Sequence, residues 1–314
     1  MKDRVLISCV QLQRSLAEHR HRLDERGAEL IVPPVEQQLS EAELLGLIMG
    51  VDGMVAGDDH VTRAVLEQAD RLRIVSKWGV GTDAIDLSAA AELGIRVTNT
   101  PGMFGDEVAD VVIGYLVMLA RHLHRTDSAV RAGEWAKPEG VSLAGRTMGV
   151  IGLGHIGRGV ARRSLAMSMR VLGSEIDPKN RTSAMQLGVE VVSLESLLAD
   201  SDVISLNVPL TPDSHHLVNA ATLGRMKPGA WVINTARGGL IDESALTAAL
   251  RSGQVGAAAL DVFEVEPLPT ESPLRGFAQV IVGSHNSSNT VEAGHRTSEI
   301  AIDNLIRGLD EVRR

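Results

Sequence analysis

The chain has 314 residues, 44% hydrophobic and 23% charged, which is the balance of a folded globular protein long enough for two domains. A net charge of −9 offers no basic face for nucleic acid or an anionic membrane, and no run reaches the roughly 18 apolar residues of a membrane span. One cysteine, Cys9, permits neither an intrachain disulfide nor a cysteine metal cluster, and it sits in an apolar run where it reads as a small buried hydrophobe. The N-terminal apolar stretch is too short for a signal peptide, so a soluble, cytoplasmic protein is expected. Aromatic residues are only 2%, which leaves the core to Ala, Val, Leu and Ile and suits buried parallel strands.

Segments 5–10, 30–32, 53–56, 73–76 and 96–98 read as strands, and 12–26, 41–49, 62–69 and 87–93 as helices. They predict a compact α/β unit. Ser40 followed by Glu43 is a capping box, and Gly27 and Gly94 sit where helices should stop. The dense apolar pattern of 106–124 predicts a buried helix, lying either under the next domain or at a subunit contact. The polar stretch 125–145 reads as a connector. Strands are then predicted over 148–151, 170–174, 189–192, 202–207, 230–235, 256–262 and 279–283. Helices are predicted over 156–168, 195–199, 219–226 and 243–251, the last with Asp242 as N-cap. This alternation predicts a doubly wound parallel sheet. The amphipathic segment 290–309 predicts one helix, of a kind that can return to the first unit and make that domain discontinuous.

The stretch 147–177 carries the plainest chemical signal. A short apolar run enters a turn with glycines at 152, 154 and 157, a helix follows, and the next strand ends in Glu175 and Asp177. Gly152 allows the tight turn, Gly154 lets backbone approach a pyrophosphate, and Gly157 lets helix pack closely on strand. The helix N-terminus offers unpaired N–H groups to phosphate, and an acid about 20 residues on can accept from ribose hydroxyls. Together these parts predict a dinucleotide site.

Ligands of such sheets bind beyond the carboxyl ends of the strands. There the sequence places Arg237 in a Gly-flanked turn, suited to bidentate capture of a carboxylate or else a plain surface arginine. The segment 261–267 brings Asp261, Glu264 and Glu266, a reactive group of acids or a solvated turn. His285 closes an apolar run; alone it is as readily structural. Arg, carboxylate and His on neighbouring strand ends can together bind an acid, hold an imidazole and exchange a proton. Asn207 to Thr211 shape a turn at the same edge. In the first unit, Gly79 and Gly81 around Val80 form either an anion nest of backbone N–H groups or an ordinary tight turn.

Six motifs in order along nearly the whole chain carry a resemblance: K-W-G-V-G-T-D-A-I-D (77–86), V-T-N-T-P-G (97–102), L-A-G-R-T-M-G-V-I-G-L-G-H-I-G (143–157), N-V-P-L-T (207–211), N-T-A-R-G-G-L-I-D (234–242) and D-V-F-E-V-E-P (261–267). The chain resembles the D-isomer-specific 2-hydroxyacid dehydrogenases, within them the D-3-phosphoglycerate dehydrogenase branch. The resemblance implies a Rossmann NAD-binding domain (99–287) and a smaller, discontinuous flavodoxin-like α/β substrate-binding domain (1–98 and 288–314), with homodimers formed through the former. It implies hydride transfer between the nicotinamide and C2 of a D-2-hydroxy or 2-keto acid, phosphorylated acids such as 3-phosphoglycerate included, and no metal.

By that resemblance the catalytic trio is Arg237, Glu266 and His285. Arg237 would bind the carboxylate and polarise the carbonyl. His285 would exchange a proton with the oxygen, and Glu266 would orient the ring and favour its charged form. Cofactor contacts would come from Gly152, Gly154, His155, Ile156, Gly157, Glu175 or Asp177, Val208, Pro209, Thr211, Ala236, Asp261 (at the carboxamide) and His285. Substrate would meet the Gly79 and Val80 amides, Arg237 and His285, with Lys77 and Lys137 where the phosphoglycerate branch places basic residues.

Two departures stand out. Family members commonly follow Pro-His with an apolar residue and small residues, whereas here His285 leads into Asn286-Ser287-Ser288-Asn289. The second strand ends in two acids where one is usual, which repels a 2′-phosphate and favours NAD over NADP, although Lys179 and Arg181 lie close. The regulatory C-terminal domains of some phosphoglycerate dehydrogenases are not expected. The alternatives are a phosphite-type dehydrogenase, since a formate enzyme would carry Gln in place of Glu266, and a dinucleotide-sensing corepressor-like binding protein.

Overall fold

Residues 2–311 are described by a computed structural model, in which the chain divides into two compact units. One runs to Met103 and resumes at Asn289; the other spans Phe104–Ser288.

The first unit alternates β1 (Arg4–Ile7), α1 (Val10–Asp24), β2 (Glu29–Ile31), α2 (Glu41–Leu45), β3 (Gly53–Ala56), α3 (Arg63–Gln68), β4 (Ile74–Lys77), α4 (Leu87–Glu92) and β5 (Arg96–Thr98). Its five strands are all parallel in the order β2-β1-β3-β4-β5, the flavodoxin order. The predicted capping box is present: Ser40 Oγ accepts from the Glu43 amide while Glu43 Oε2 accepts from the Ser40 amide. The strand expected to reach residue 10 stops at Ile7. The apolar run continues past it because Cys9, fully buried, sits at the N-cap position of α1. Burial pushes the Cys9 thiol up to about 12, so it stays an inert thiol at neutral pH.

The second unit comprises α5 (Gly105–Arg121), α6 (Leu123–Arg131), β6 (Thr147–Ile151), α7 (His155–Ala166), β7 (Arg170–Ser174), α8 (Pro178–Gln186), β8 (Glu190–Val191), α9 (Leu194–Asp200), β9 (Val203–Leu206), α10 (Ala220–Leu223), β10 (Ala230–Asn234), α11 (Glu243–Ser252), β11 (Val255–Leu260) and β12 (Val280–Val282). Its strands run parallel in the order β12-β11-β10-β9-β6-β7-β8, which reverses direction at β6, the strand that enters the glycine turn. This is the doubly wound Rossmann arrangement with one added strand. Separate apolar clusters cover its two faces, one holding Leu197, Ile204 and Leu246, the other Val112, Leu116 and Val160.

Three helical readings change. The single helix expected over 106–124 breaks at His122, whose φ of 54° is left-handed, and α6 begins in what read as a connector. α6 buries none of its residues, and its two large apolar side chains, Leu123 and Val130, are too few to mark a stripe. The dense apolar face of α5 packs within its own unit, on α7, β10 and β11. α8, absent from the sequence reading, buries only Ala184 and is set by Asp177 as N-cap with Pro178 in its first turn.

The last helix, α12 (Val291–Glu311), completes the first unit by covering β3 and β4 and packing beside α1. Ile302, Leu305 and Leu309 are fully buried, each contributing about 1.5–3 kcal/mol. Ser76 Oγ donates to the Ala301 carbonyl (2.7 Å) and Trp78 Nε1 to Ser298 Oγ (3.0 Å). At the base of this unit Asp3, 4% exposed, accepts from Arg26 Nε (2.8 Å) and Arg73 Nη2 (2.6 Å). Burial works to raise the Asp3 carboxyl, but the two guanidiniums outweigh it and hold the group below the usual range. A depressed folded-state value means the stabilisation is complete above about pH 4, where an unfolded Asp ionises, and is lost as pH falls through the folded value. Asp3→Asn should therefore lower stability by about 3 kcal/mol at pH 7. In urea melts the gap from the parent should narrow below about pH 4; a gap independent of pH would refute the ion-pair account.

Candidate active site

The glycine turn after β6 has the shape a dinucleotide needs. Gly152 has φ +87°, and a Cβ there would lie 2.5 Å from the Asn207 carbonyl oxygen. A Cβ on Gly157 would lie 1.9 Å from the Gly152 oxygen, so helix and turn touch backbone to backbone. Around Gly154, by contrast, a Cβ would meet nothing within 4 Å. Gly154 is the N-cap of α7 and no side chain caps the helix, so the first-turn N–H groups of exposed His155 and half-buried Ile156 have no side-chain acceptor among the described residues. The residues fit a pyrophosphate at that position.

The two acids beyond β7 separate into different tasks. Glu175 reaches back to the turn, its Oε2 accepting from the Leu153 amide (2.7 Å) and its Oε1 from the amides of Ile176 (2.8 Å) and Asp177 (2.9 Å). Asp177 instead caps α8, accepting from the Lys179 amide at 2.7 Å. At the end of β9, Ser214 Oγ accepts from the Thr211 amide (2.8 Å) and donates to the Pro209 carbonyl (2.7 Å), which closes the turn. Val208 in that turn lies against Gly152.

The ends of the adjacent strands β10, β11 and β12 carry Arg237, Glu266 and His285. Buried Asn234 shapes the first of these turns: its Oδ1 accepts from the Ala236 amide (3.0 Å) and its Nδ2 donates to the Arg237 carbonyl (2.8 Å). The arginine's Nη1 donates to the Ala236 carbonyl at 2.8 Å. The next residue, Gly238, lies so close to the following strand end that a Cβ would stand 1.9 Å from the Phe263 carbonyl carbon and 2.5 Å from the Glu264 nitrogen.

Each acid of 261–267 has its own partner. Glu266 Oε2 lies 2.7 Å from His285 Nδ1, and its Oε1 accepts from the Phe263 amide at 2.9 Å. Both oxygens are thereby fixed, with the pair's side chains only 18% and 22% exposed. Glu264 pairs with His216 Nε2 at 2.6 Å. Asp261 accepts on Oδ2 from the Ser287 amide (2.8 Å) and hydroxyl (2.5 Å), and on Oδ1 from the Tyr115 hydroxyl (3.3 Å). Burial, then the Asp261 charge, pushes the Tyr115 phenol up, so it remains a donor. His285 itself has a left-handed backbone, φ 54°, and its amide donates to the Asp261 carbonyl at 2.7 Å. The polar run after His285 therefore has a visible purpose at Ser287. Tyr115, His216 and Ser287 escaped the sequence reading, and Gly238 entered it only as part of the Gly-flanked turn that carries Arg237. Of the three that escaped, only Ser287 lay in a stretch that stood out, the polar run that follows His285.

In the first unit two expected substrate residues are already engaged. The Gly79 N–H donates to Thr100 Oγ1 at 2.9 Å; Val80, 44% exposed, makes no such bond through its N–H among the described residues. Lys77 is 3% exposed, with Nζ donating to Asp58 Oδ1 (3.1 Å) and to the Trp78 carbonyl (2.8 Å). Lys137 lies in an exposed segment outside any helix or strand of the second unit.

Residues 113–287 match the family model described as D-isomer specific 2-hydroxyacid dehydrogenase, NAD binding domain. The chain belongs to the D-isomer-specific 2-hydroxyacid dehydrogenases. It is 38% identical over 274 residues to a glyoxylate reductase of Thermofilum pendens, covering 85% of this chain and 81% of that one. It is also 38% identical over 298 residues to a hydroxypyruvate reductase of Thermotoga maritima, 91% of this chain and 96% of that one. The crystal structure of the TT0316 protein from Thermus thermophilus superposes with a TM-score of 0.87 at 37% identity, covering 98% and 97% of the two chains. The chain is thus an oxidoreductase of the 2-hydroxyacid dehydrogenase family with an NAD-binding domain, and no described helix is long and apolar enough to cross a membrane.

In this dehydrogenase the backbone contact at Gly238 sets the Arg237 turn against the Glu266 turn. Gly238→Ala forces backbone against backbone, which no rotamer relieves. The variant should lose at least 1–3 kcal/mol of stability, by analogy with overpacked cores, and most of its turnover. Melting and activity close to the parent's would show that the two turns move apart freely.

Proposed function

We propose that this family member reduces a small, unphosphorylated 2-keto acid of the glyoxylate or hydroxypyruvate kind to the D-2-hydroxy acid, using NADH, in the cytoplasm. The observation that carries this reading is the Glu266–His285 pair at 2.7 Å on strand ends adjoining the Arg237 turn. Arg237 binds the substrate carboxylate and polarises the carbonyl. With Nδ1 held by Glu266, His285 exchanges its proton with the substrate oxygen through Nε2, and the imidazolium formed on reoxidation is stabilised by the carboxylate beside it. The bound nicotinamide supplies or takes up the hydride. The N-terminus of α7 holds the pyrophosphate, Glu175 the ribose hydroxyls, and Asp261 the carboxamide. Glu175 disfavours a 2′-phosphate, hence NAD over NADP, and Asp177 adds a second negative charge two residues on.

Two observations favour an unphosphorylated substrate. The relatives named above are glyoxylate and hydroxypyruvate reductases. Lys77, which would meet a phosphate, already shares its charge with Asp58. The first unit, with its single unengaged amide at Val80 in the 79–80 pair, serves as the substrate-binding domain.

A spectrophotometric screen of glyoxylate, hydroxypyruvate, pyruvate and 3-phosphohydroxypyruvate, each with NADH and NADPH, tests the reading. Turnover should be highest with NADH and the first two acids. His285→Ala should lower kcat about 10²–10⁴-fold while the Kd for NADH stays within a few fold. A clear preference for 3-phosphohydroxypyruvate overturns the substrate class. Near-normal turnover of the His285 variant sinks the acid–base assignment, and tight NADH binding with no turnover by the parent favours a sensing protein.

The second unit also forms the homodimer in this reading. Leu123 and Val130 on α6, 49% and 45% exposed, and Trp135 just beyond, 80% exposed, leave apolar surface that a second copy would cover. Sedimentation velocity should give a dimer for the parent and a monomer for Leu123→Asp/Trp135→Asp; a monomeric parent rejects the assignment.

A further inference from the structure

We propose that Glu18, His19 and His295, on α1 and α12 of the first unit, form a binding site for a divalent transition-metal ion, Zn²⁺ by the chemistry of its donors. The donor atoms of the three side chains all lie within 4.8 Å of one another. The two imidazole rings stand 5.1 Å apart between centroids, tilted by 55°. His19 is only 3% exposed, yet its Nε2 has no hydrogen-bond partner. Its buried neighbours on α1 are Leu12 and Leu23, so packing alone calls for an apolar side chain here. A buried ring nitrogen without a partner is costly, and a metal ion is one way to satisfy its lone pair.

The donor set decides the class of ion. Two imidazole nitrogens and one carboxylate oxygen suit Zn²⁺ rather than Ca²⁺ or Mg²⁺, which take oxygen ligands. Tetrahedral bonds of about 2.0–2.2 Å put donors about 3.3 Å apart. Glu18 and His295 are exposed and can turn inward by that difference, while buried His19 stays as the fixed ligand. Glu299, one turn further along α12 with Oε2 3.8 Å from His295 Nδ1, is placed to fill a fourth position. The nearest guanidinium, Arg22, is engaged by Asp303 and by the Glu299 carbonyl, which offsets its repulsion of a cation. The ion would join α1 to α12 directly. Its effect falls on the cohesion of the first unit, independently of the hydride chemistry proposed for the second.

Isothermal titration of chelator-stripped protein with Zn²⁺ should show one saturable ion per chain, and the melting temperature should rise with Zn²⁺ and fall back with EDTA. His295→Ala and Glu18→Ala alter exposed side chains and should keep the parent's circular dichroism. Each should weaken Zn²⁺ binding about tenfold or more and abolish the thermal shift, leaving keto-acid reduction by the metal-free enzyme unchanged. X-ray absorption at the zinc edge should show two imidazoles. The proposal is overturned by the absence of saturable binding, by undiminished affinity in His295→Ala, as for an ion held at the stacked His215–His216 pair, or by a zinc sphere without imidazole scattering.

Discussion

Asp261 ties three strand ends together. Its amide donates to the Asn234 carbonyl at the end of β10, its carbonyl accepts from the His285 amide beyond β12, and its carboxylate accepts from Ser287 and Tyr115. A carboxylate 2% exposed is costly to bury, and these donors are what offset that cost. The turns that carry Arg237, Glu266 and His285 all lean on this one residue or its immediate neighbours. A left-handed backbone at a non-glycine residue costs about 1–3 kcal/mol, and at His285 the amide bond to Asp261 and the Ser287 anchor two residues on hold it in place. The proposed acid–base pair is thus oriented by backbone geometry that the carboxylate of a third residue maintains.

Much of the fold was legible because parallel strands buried on both faces write near-continuous apolar runs. The glycine turn was legible because Gly152 and Gly157 answer to close backbone approaches that allow no side chain. The helices that escaped, α6 and α8, lie on the surface and bury one residue between them, so no periodic stripe marks them. Their determinants are local: a left-handed His122 in one case, an Asp-Pro start in the other. Among site residues, those at strand ends could be found by position. Partners distant in sequence, such as Tyr115 for Asp261, could not, since nothing near residue 115 signals a carboxylate 146 positions away.

The same limit explains why the partners of Gly79 and Lys77 were not foreseen. A glycine pair around one residue suggests outward-facing amides, and a lysine nearby suggests an anion. Neither pattern reveals that Thr100 and Asp58 will fold back onto them. A cation's chemistry depends on whether its counter-charge comes from the protein or the ligand, and Asp58 tilts that balance at Lys77 toward the protein.

The return of α12 also bears on how the chain is made. Ser76, Trp78 and Gly53 belong to strands or strand ends near the start of the sequence, yet they rest on Ala301, Ser298 and Leu305 near its other end. During vectorial synthesis the second unit is complete in sequence while the first still lacks the helix that closes its core. Of the two units, the first is therefore begun before the second and closed after it, and until α12 emerges β3 and β4 have one apolar face without its cover.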